Sequence, residues 1–269
     1  MRIAATIQYN GRAYSGMQLQ KESLTIQGEI EQALKTITRR SVRIHCAGRT
    51  DAGVHAYGQV IHFDLPQAET FEIDRLIYGI NSIIGGDISI IHGQIVPDDF
   101  HARFSCLGRE YIFKVVNTPF PMALYKHTAA WIRYPLDIKK MEEAAMHLLG
   151  EHDFAAFTRT VYKKNEEKTI RRIDEIQILK RGFEILFYFR GSGFLHNMIR
   201  IIMGTLLRVG RNFIAPEQIK DILDNKERVK AGVTMSSKGL YFYRALYSDY
   251  VTPAELLPLL PEKISETVL

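Results

Sequence analysis

The sequence is short of the features that mark several large protein classes. Its 269 residues include two cysteines, Cys46 and Cys106, and they form no C-x-x-C pair. A disulfide framework needs more of them, so both read as reduced thiols. Nine histidines are scattered without an H-x-x-x-H or H-E-x-x-H spacing, which argues against a metal centre built on histidine. There is no Walker A loop and no G-x-G-x-x-G turn to cradle a nucleotide phosphate. Gly191-Ser192-Gly193 lacks the rest of a nucleophile elbow. The longest apolar helix candidate, 194–209, is interrupted by His196, Asn197, Arg200 and Arg208, too often to cross a bilayer. The N-terminal residues alternate like a strand instead of forming a continuous apolar core, so no signal peptide is expected. No cofactor, no metal and no membrane are expected, and a cytoplasmic location is.

What remains is an ordinary globular composition, 46% apolar and 24% charged, with a formal charge of +5 that suits a polyanionic partner without naming one. Ile3, Ala5, Ile7 and Tyr9 alternate with Ala4, Thr6 and Gln8 as in a half-buried strand. Thr25 is placed to cap a helix carrying Ile26, Ile30, Leu34 and Ile37 on one face, with Glu31 and Lys35 as an i,i+4 pair. Strands are expected over 42–47 and 59–64, a helix through Ile73, Leu76, Ile77, Ile80 and Ile84, and a strand over 88–95. A comparable order then recurs: a strand over 111–116, a helix over 138–149, and strands over 170–179 and 183–190 joined at Arg181-Gly182. Helices follow over 194–211 and 216–223, and a last strand over 240–247. Short hairpin-like links between strands favour an α+β class over a doubly wound sheet. The halves divide near residue 105, giving 1–105 and 106–269, with no Pro/Gly/Ser-rich linker between them.

Four segments carry candidate chemistry. In Ala47-Gly48-Arg49-Thr50-Asp51-Ala52-Gly53-Val54-His55-Ala56, a carboxylate lies between glycines with a cation two positions before it. Glycines there allow positive φ and close approach of another molecule, and Arg49 can hold Asp51 ionised or clamp a phosphate. The plain alternative is an ordinary turn with a surface arginine. In Gly193-Phe194-Leu195-His196-Asn197-Met198-Ile199-Arg200, Arg200 lies on a strongly apolar helix with His196 and Gly204 on its face. A buried cation there requires a partner, for which Asp51 is a candidate, unless Arg200 snorkels to solvent. Phe100-His101-Ala102-Arg103-Phe104, followed by Arg109-Glu110-Tyr111, interleaves cations and rings. RNA-binding surfaces do this because guanidinium meets phosphate while rings stack on bases; a strand with inward rings and wet charges is the alternative. Lys163, Lys164, Lys168, Arg171 and Arg172, opposed by Glu166 and Glu167, form either a solvated hairpin or a basic rim for an RNA backbone.

Together these segments resemble the tRNA pseudouridine synthase A family. The likeness runs from Gly16-Met17-Gln18 through Ala47–Ala56, residues 97–105, Arg109–Tyr111 and Gly191–Arg200 to Gly239-Leu240, about 240 residues in consistent order. It implies two related ferredoxin-like α+β halves sharing a central antiparallel sheet with a basic cleft, in a homodimer. It implies isomerisation of uridine at positions 38, 39 and 40 of the tRNA anticodon stem-loop, without metal or nucleotide cofactor. Asp51 falls on the family's catalytic aspartate, and Tyr111 on the tyrosine stacking against the target base. Arg200 falls on the basic residue pairing with the aspartate, and Arg49 on the arginine associated with flipping the nucleotide. His101, Arg103 and Leu240 complete the expected substrate-binding set. Met17 stands where tryptophan is common, and Ser236-Ser237-Lys238 stands where the family carries a more apolar run closing the pocket. The competing readings are a non-catalytic RNA-binding module, a base hydrolase that needs a second carboxylate such as Glu110, and a metal-dependent nuclease.

Overall fold

A computed structural model of the chain describes residues 1–66, 72–159 and 169–260. In chain order the elements are β1 (Arg2–Tyr9), α1 (Ile26–Thr38), β2 (His45–Cys46), β3 (His55–Asp64), α2 (Ile73–Ile83), β4 (Ile88–Val96) and β5 (Gly108–Asn117). They continue with β6 (Ala130–Ile132), α3 (Ile138–Met146), β7 (Gly150–Asp153), β8 (Ile170–Arg181), β9 (Glu184–Gly191), α4 (Met198–Gly210), α5 (Gln218–Asn225) and β10 (Leu240–Leu246). Two compact units result: Met1–Arg109 with the chain from Tyr241 onward, and Glu110–Leu240. The division falls four residues after the expected one, since 109 lies four beyond 105, and the last strand returns to the first unit. That return is a pairing between residues far apart in the chain, which local patterns do not encode.

In the first unit, β1 lies antiparallel between β3 and β4, with Arg2 opposite Asp64 on one side and Val96 on the other. The ladder is pinned at that end by a forked ion pair, Arg2 Nε and Nη2 to the Asp64 carboxylate at 2.8 and 2.9 Å. β10 joins β3 in parallel, Tyr241 opposite His55 and Phe242 opposite Ala56, and β2 pairs with β3. The Val42–Ala47 pattern yields only this two-residue strand. α1 begins as the sequence indicates: the Thr25 hydroxyl accepts the Gly28 N–H at 3.2 Å, and Ile26, Ile30, Ala33 and Leu34 are buried. Glu31 is engaged by Gln27, by Arg43 and by the Ile44 N–H (3.0 Å), so it ties the helix to the following strand segment.

In the second unit, β8 and β9 form the expected hairpin, from Arg181 opposite Glu184 to Ile173 opposite Gly191, closed by Gly182 at φ +59°. β7 pairs antiparallel with β8, and β6 runs parallel to β5. Neither short strand is legible in the sequence: β7 is Gly-Glu-His-Asp and β6 spans three residues. α4 starts at Met198, after Asn197 in the left-handed region at φ 61°, so His196 precedes the helix and does not share its face with Arg200. Eleven of its thirteen residues are buried, which makes it the core element of this unit. Lys163, Lys164, Glu166, Glu167 and Lys168 lie outside the described residues. No helix among the described residues is long and apolar enough to cross a membrane.

Candidate active site

The segment Ala47–Val54 is held from several sides before Asp51 is reached. Its entry is fixed by the Ala47 N–H to the Val60 carbonyl at 2.8 Å. Arg109 grips the Ala47 carbonyl with Nε at 3.0 Å and Nη2 at 2.8 Å, and the same Nη2 reaches the Arg103 carbonyl at 3.0 Å. Gln59 Nε2 donates to the Gly48 carbonyl at 2.7 Å. Thr50 points inward, 8% exposed, and shares a 2.8 Å hydrogen bond with the hydroxyl of buried Tyr9. The segment then turns: the Val54 N–H donates to the Asp51 carbonyl at 3.2 Å, and Gly53 stands at φ +77°, the conformation a type II turn requires at that position.

The stretch around Gly16 closes the other side. The Met17 N–H donates to the Thr50 carbonyl at 3.1 Å, and Met17 itself is 1% exposed. Gly16 has φ +103°, and a Cβ there would stand 2.6 Å from the Thr50 carbonyl oxygen, so only glycine lets the two backbones approach. Met17 therefore fills a core position directly behind the turn. Between buried Thr50 and buried Val54, Asp51 is half-exposed, and Arg49 is exposed. Fixed backbone with a projecting carboxylate is the preorganisation an acid, base or nucleophile needs.

The first unit also brings His101 and Arg103 to this region, through Arg109. His101 is half-buried and accepts the Arg103 N–H on Nδ1 at 3.1 Å; Arg103 is exposed. The Cys46 thiol is pushed up by burial, against the opposing pull of Arg49, Arg103 and Arg109. The segment bearing His101 and Arg103 is a turn and not a strand, and its two phenylalanines part company: Phe100 is 2% exposed and Phe104 76%.

The second unit carries Tyr111, Arg200 and Leu240. Tyr111 is 7% exposed, with its ring edge-on to Phe194 at 5.2 Å between centroids. Arg200 is half-buried; Nε donates to the Met235 carbonyl and Nη1 to Asn197 Oδ1, both at 2.6 Å. The cation on the apolar helix is thus partnered by a backbone carbonyl and a side-chain amide. Leu240, 6% exposed, opens β10 directly after a short 3-10 turn, Ser237–Gly239, capped by the Ser236 hydroxyl. Glu110 is fully buried against Tyr188, whose hydroxyl is pushed up by burial and then by that carboxylate. It serves the interior of the second unit and is not a surface carboxylate. Among the described residues no group of three or more His, Cys, Asp or Glu is arranged to hold a metal ion. Tyr9, Gln59 and Arg109 are functional supports that the sequence reading did not assign. Tyr9 carried one signal: an inward-facing tyrosine needs a partner for its hydroxyl.

The sequence profile of the family described as "tRNA pseudouridine synthase" matches residues 5–105 and 144–248. tRNA pseudouridine synthase A of Halalkalibacterium halodurans is 39% identical over 240 residues, covering 89% of this chain and 90% of that one. The enzyme of that name from Exiguobacterium sibiricum is 40% identical over 248 residues, covering 92% and 97%. Its namesake from Bacillus subtilis is 39% identical over 251 residues, covering 93% and 100%. With Asp51 on a turn buttressed by Tyr9, Gly16, Gln59 and Arg109, and with likeness along nearly its whole length, the chain belongs to the tRNA pseudouridine synthase family.

Proposed function

We propose that this protein isomerises uridine to pseudouridine in tRNA, at positions 38, 39 and 40 of the anticodon stem-loop, with Asp51 as the catalytic carboxylate. The observation that carries the reading is the setting of the turn: Thr50 is buried and hydrogen-bonded to Tyr9, and the next residue, Asp51, is half-exposed. Family membership supplies the reaction.

The chemistry suits a single carboxylate. The N1–C1′ bond of uridine breaks, the base turns without leaving, and C5 bonds to C1′; N1 gains a proton and C5 loses one, so the atoms balance without ATP or an oxidant. Asp51 can attack C1′, add to C6 of the ring, or take the C2′ proton, and each route requires the ionised form. The uridine must leave its stack, at a cost of a few kcal/mol. Stacking on the Tyr111 ring, worth about 1–3 kcal/mol, and Arg49 entering the vacated space offset that cost. Arg200 supports the negative charge of Asp51, Leu240 closes over the base, and His101 and Arg103 hold the RNA backbone beside the turn. In this reading the two units are related ferredoxin-like halves that form a basic cleft over a mixed, largely antiparallel sheet, two chains form a homodimer, and the enzyme works in the cytoplasm.

The test is chemical mapping of pseudouridine in unmodified tRNA incubated with the purified protein in EDTA. Pseudouridine confined to 38–40 is expected. Binding without conversion would leave a non-catalytic RNA-binding module, and an abasic product with free uracil would indicate a hydrolase.

A further inference from the structure

Beside the turn that carries Asp51, the first unit builds a stack of rings that the reaction itself does not require. His62 and His45 stack at 4.9 Å between centroids and 18° between planes. His101 leans on both, at 4.6 Å from His62 and 5.3 Å from His45. Phe104 covers His101 at 4.4 Å and ends the stack, 76% exposed, with the Arg103 guanidinium carbon 5.7 Å from its ring centroid.

The base of the stack is rigid. His62 is 2% exposed, and its Nδ1 accepts the Ala102 N–H at 3.1 Å. Phe100 packs against Tyr247 at 5.1 Å, and Arg2 holds the Phe100 carbonyl at 2.9 Å. Burial, then the neighbouring His101 and His45, lower His62 to about 4, so this imidazole is neutral at physiological pH and rings can crowd around it without charge repulsion. An aromatic ring held open to solvent on such a base offers a π face to a partner. The surrounding charge indicates the partner: the Arg103 guanidinium lies over the Phe104 ring and Arg109 binds the Arg103 carbonyl, so cationic groups flank the exposed ring. A π face framed by guanidinium groups is the pattern of a site that stacks a nucleobase and grips its phosphate.

We propose that Phe104, backed by His101, His45 and His62, is a second base-stacking site that takes an unpaired or terminal nucleotide of the substrate RNA outside the catalytic pocket. The inference rests on the proposed activity toward tRNA, and it assigns Phe104 to holding RNA, not to chemistry. One guanidinium bridges the Ala47 and Arg103 carbonyls, so a nucleotide seated on Phe104 is held in fixed register with the turn that carries Asp51.

The experiment compares Phe104→Ala, Phe104→Leu, Phe104→Trp and Arg103→Ala with the unsubstituted protein. It reads tRNA affinity against salt, kcat at saturating tRNA, and melting temperature. Loss of one stacked base weakens binding by roughly tenfold or more. Phe104→Ala and Phe104→Leu are expected to show that loss with kcat and melting temperature unchanged and the salt slope intact. Phe104→Trp is expected to bind at least as tightly as the unsubstituted protein. Arg103→Ala is expected to lower the slope of log K against log salt by about one phosphate contact. Affinity within twofold for Phe104→Ala, or full rescue by Phe104→Leu, which has area but no π face, overturns the stacking site. If the unsubstituted protein converts no uridine, the proposed activity fails instead, and the two failures are told apart in the same assay.

Discussion

The hydroxyl of Tyr9 is buried and meets Thr50 Oγ1 at 2.8 Å, one residue before the carboxylate. Tyr9→Phe leaves that threonine without this partner in the interior, where an unsatisfied polar group costs about 1–3 kcal/mol. The expected result is a lower melting temperature and a fall in kcat of at least tenfold with KM little changed, because Asp51 is misplaced while the RNA surface is intact. In a double-mutant cycle, Tyr9→Phe combined with Thr50→Val should regain part of the stability, both partners then being apolar, but not kcat. Full kinetic rescue would show that the bond serves folding alone. A second residue-scale prediction concerns His62, lowered to about 4 mainly by burial and then by His101, His45 and Arg2, with Asp64 opposing. The unfolded chain binds the proton near pH 6.5 and the folded chain only near 4, so stability is full above 6.5 and is lost as pH falls through that window. Unfolding free energy measured by denaturant from pH 7 to 4.5 should carry a slope contribution approaching one proton, absent in His62→Phe. An identical slope in both proteins would refute the assignment.

At the scale of elements, α4 shows what a sequence does and does not disclose. Its apolar run and Arg200 are plain in the sequence, but its start is not. Asn197 adopts the left-handed conformation and begins the helix at Met198, which moves His196 off the face assigned to it. One partner of Arg200, the Met235 carbonyl, lies on a loop 35 residues away that no periodicity predicts, and another, Asn197, is set by the left-handed turn that starts the helix. α1, by contrast, was legible in its start and apolar face, because Thr25 and the 3.6-residue apolar repeat are local signals; the expected Glu31–Lys35 pair gives way to Gln27, Arg43 and Ile44. The Asp51 turn was legible by composition, its supports were not: Tyr9 and Gln59 act across strand pairings, and Arg109 reaches back 62 residues to Ala47. Arg200→Ala removes two charge-assisted bonds, one tying α4 to the Met235 carbonyl and one bracing its own N-terminus at Asn197. A loss of about 2 kcal/mol, or roughly 4–8 °C in melting temperature, is expected, together with loss of turnover. Unchanged stability would mean that these bonds do not persist in solution.

For the whole molecule, the charge of +5 and the arginines of the Asp51 turn and its neighbourhood would make RNA binding an ion-exchange process. Affinity for tRNA should fall linearly on a log–log plot with salt, and a protein contacting six or more phosphates loses about a thousandfold or more between 50 and 200 mM. A flat response would contradict a basic RNA-binding surface. The central claim is tested most directly by comparing the protein with its Asp51→Asn variant on unmodified tRNA, reading single-turnover pseudouridine formation and equilibrium binding side by side. The account predicts no detectable pseudouridine from the variant and tRNA affinity within about tenfold of the original, since a neutral amide keeps the shape and removes only the ionised oxygen. Turnover by the variant above a few per cent of the original would take the catalytic role away from Asp51.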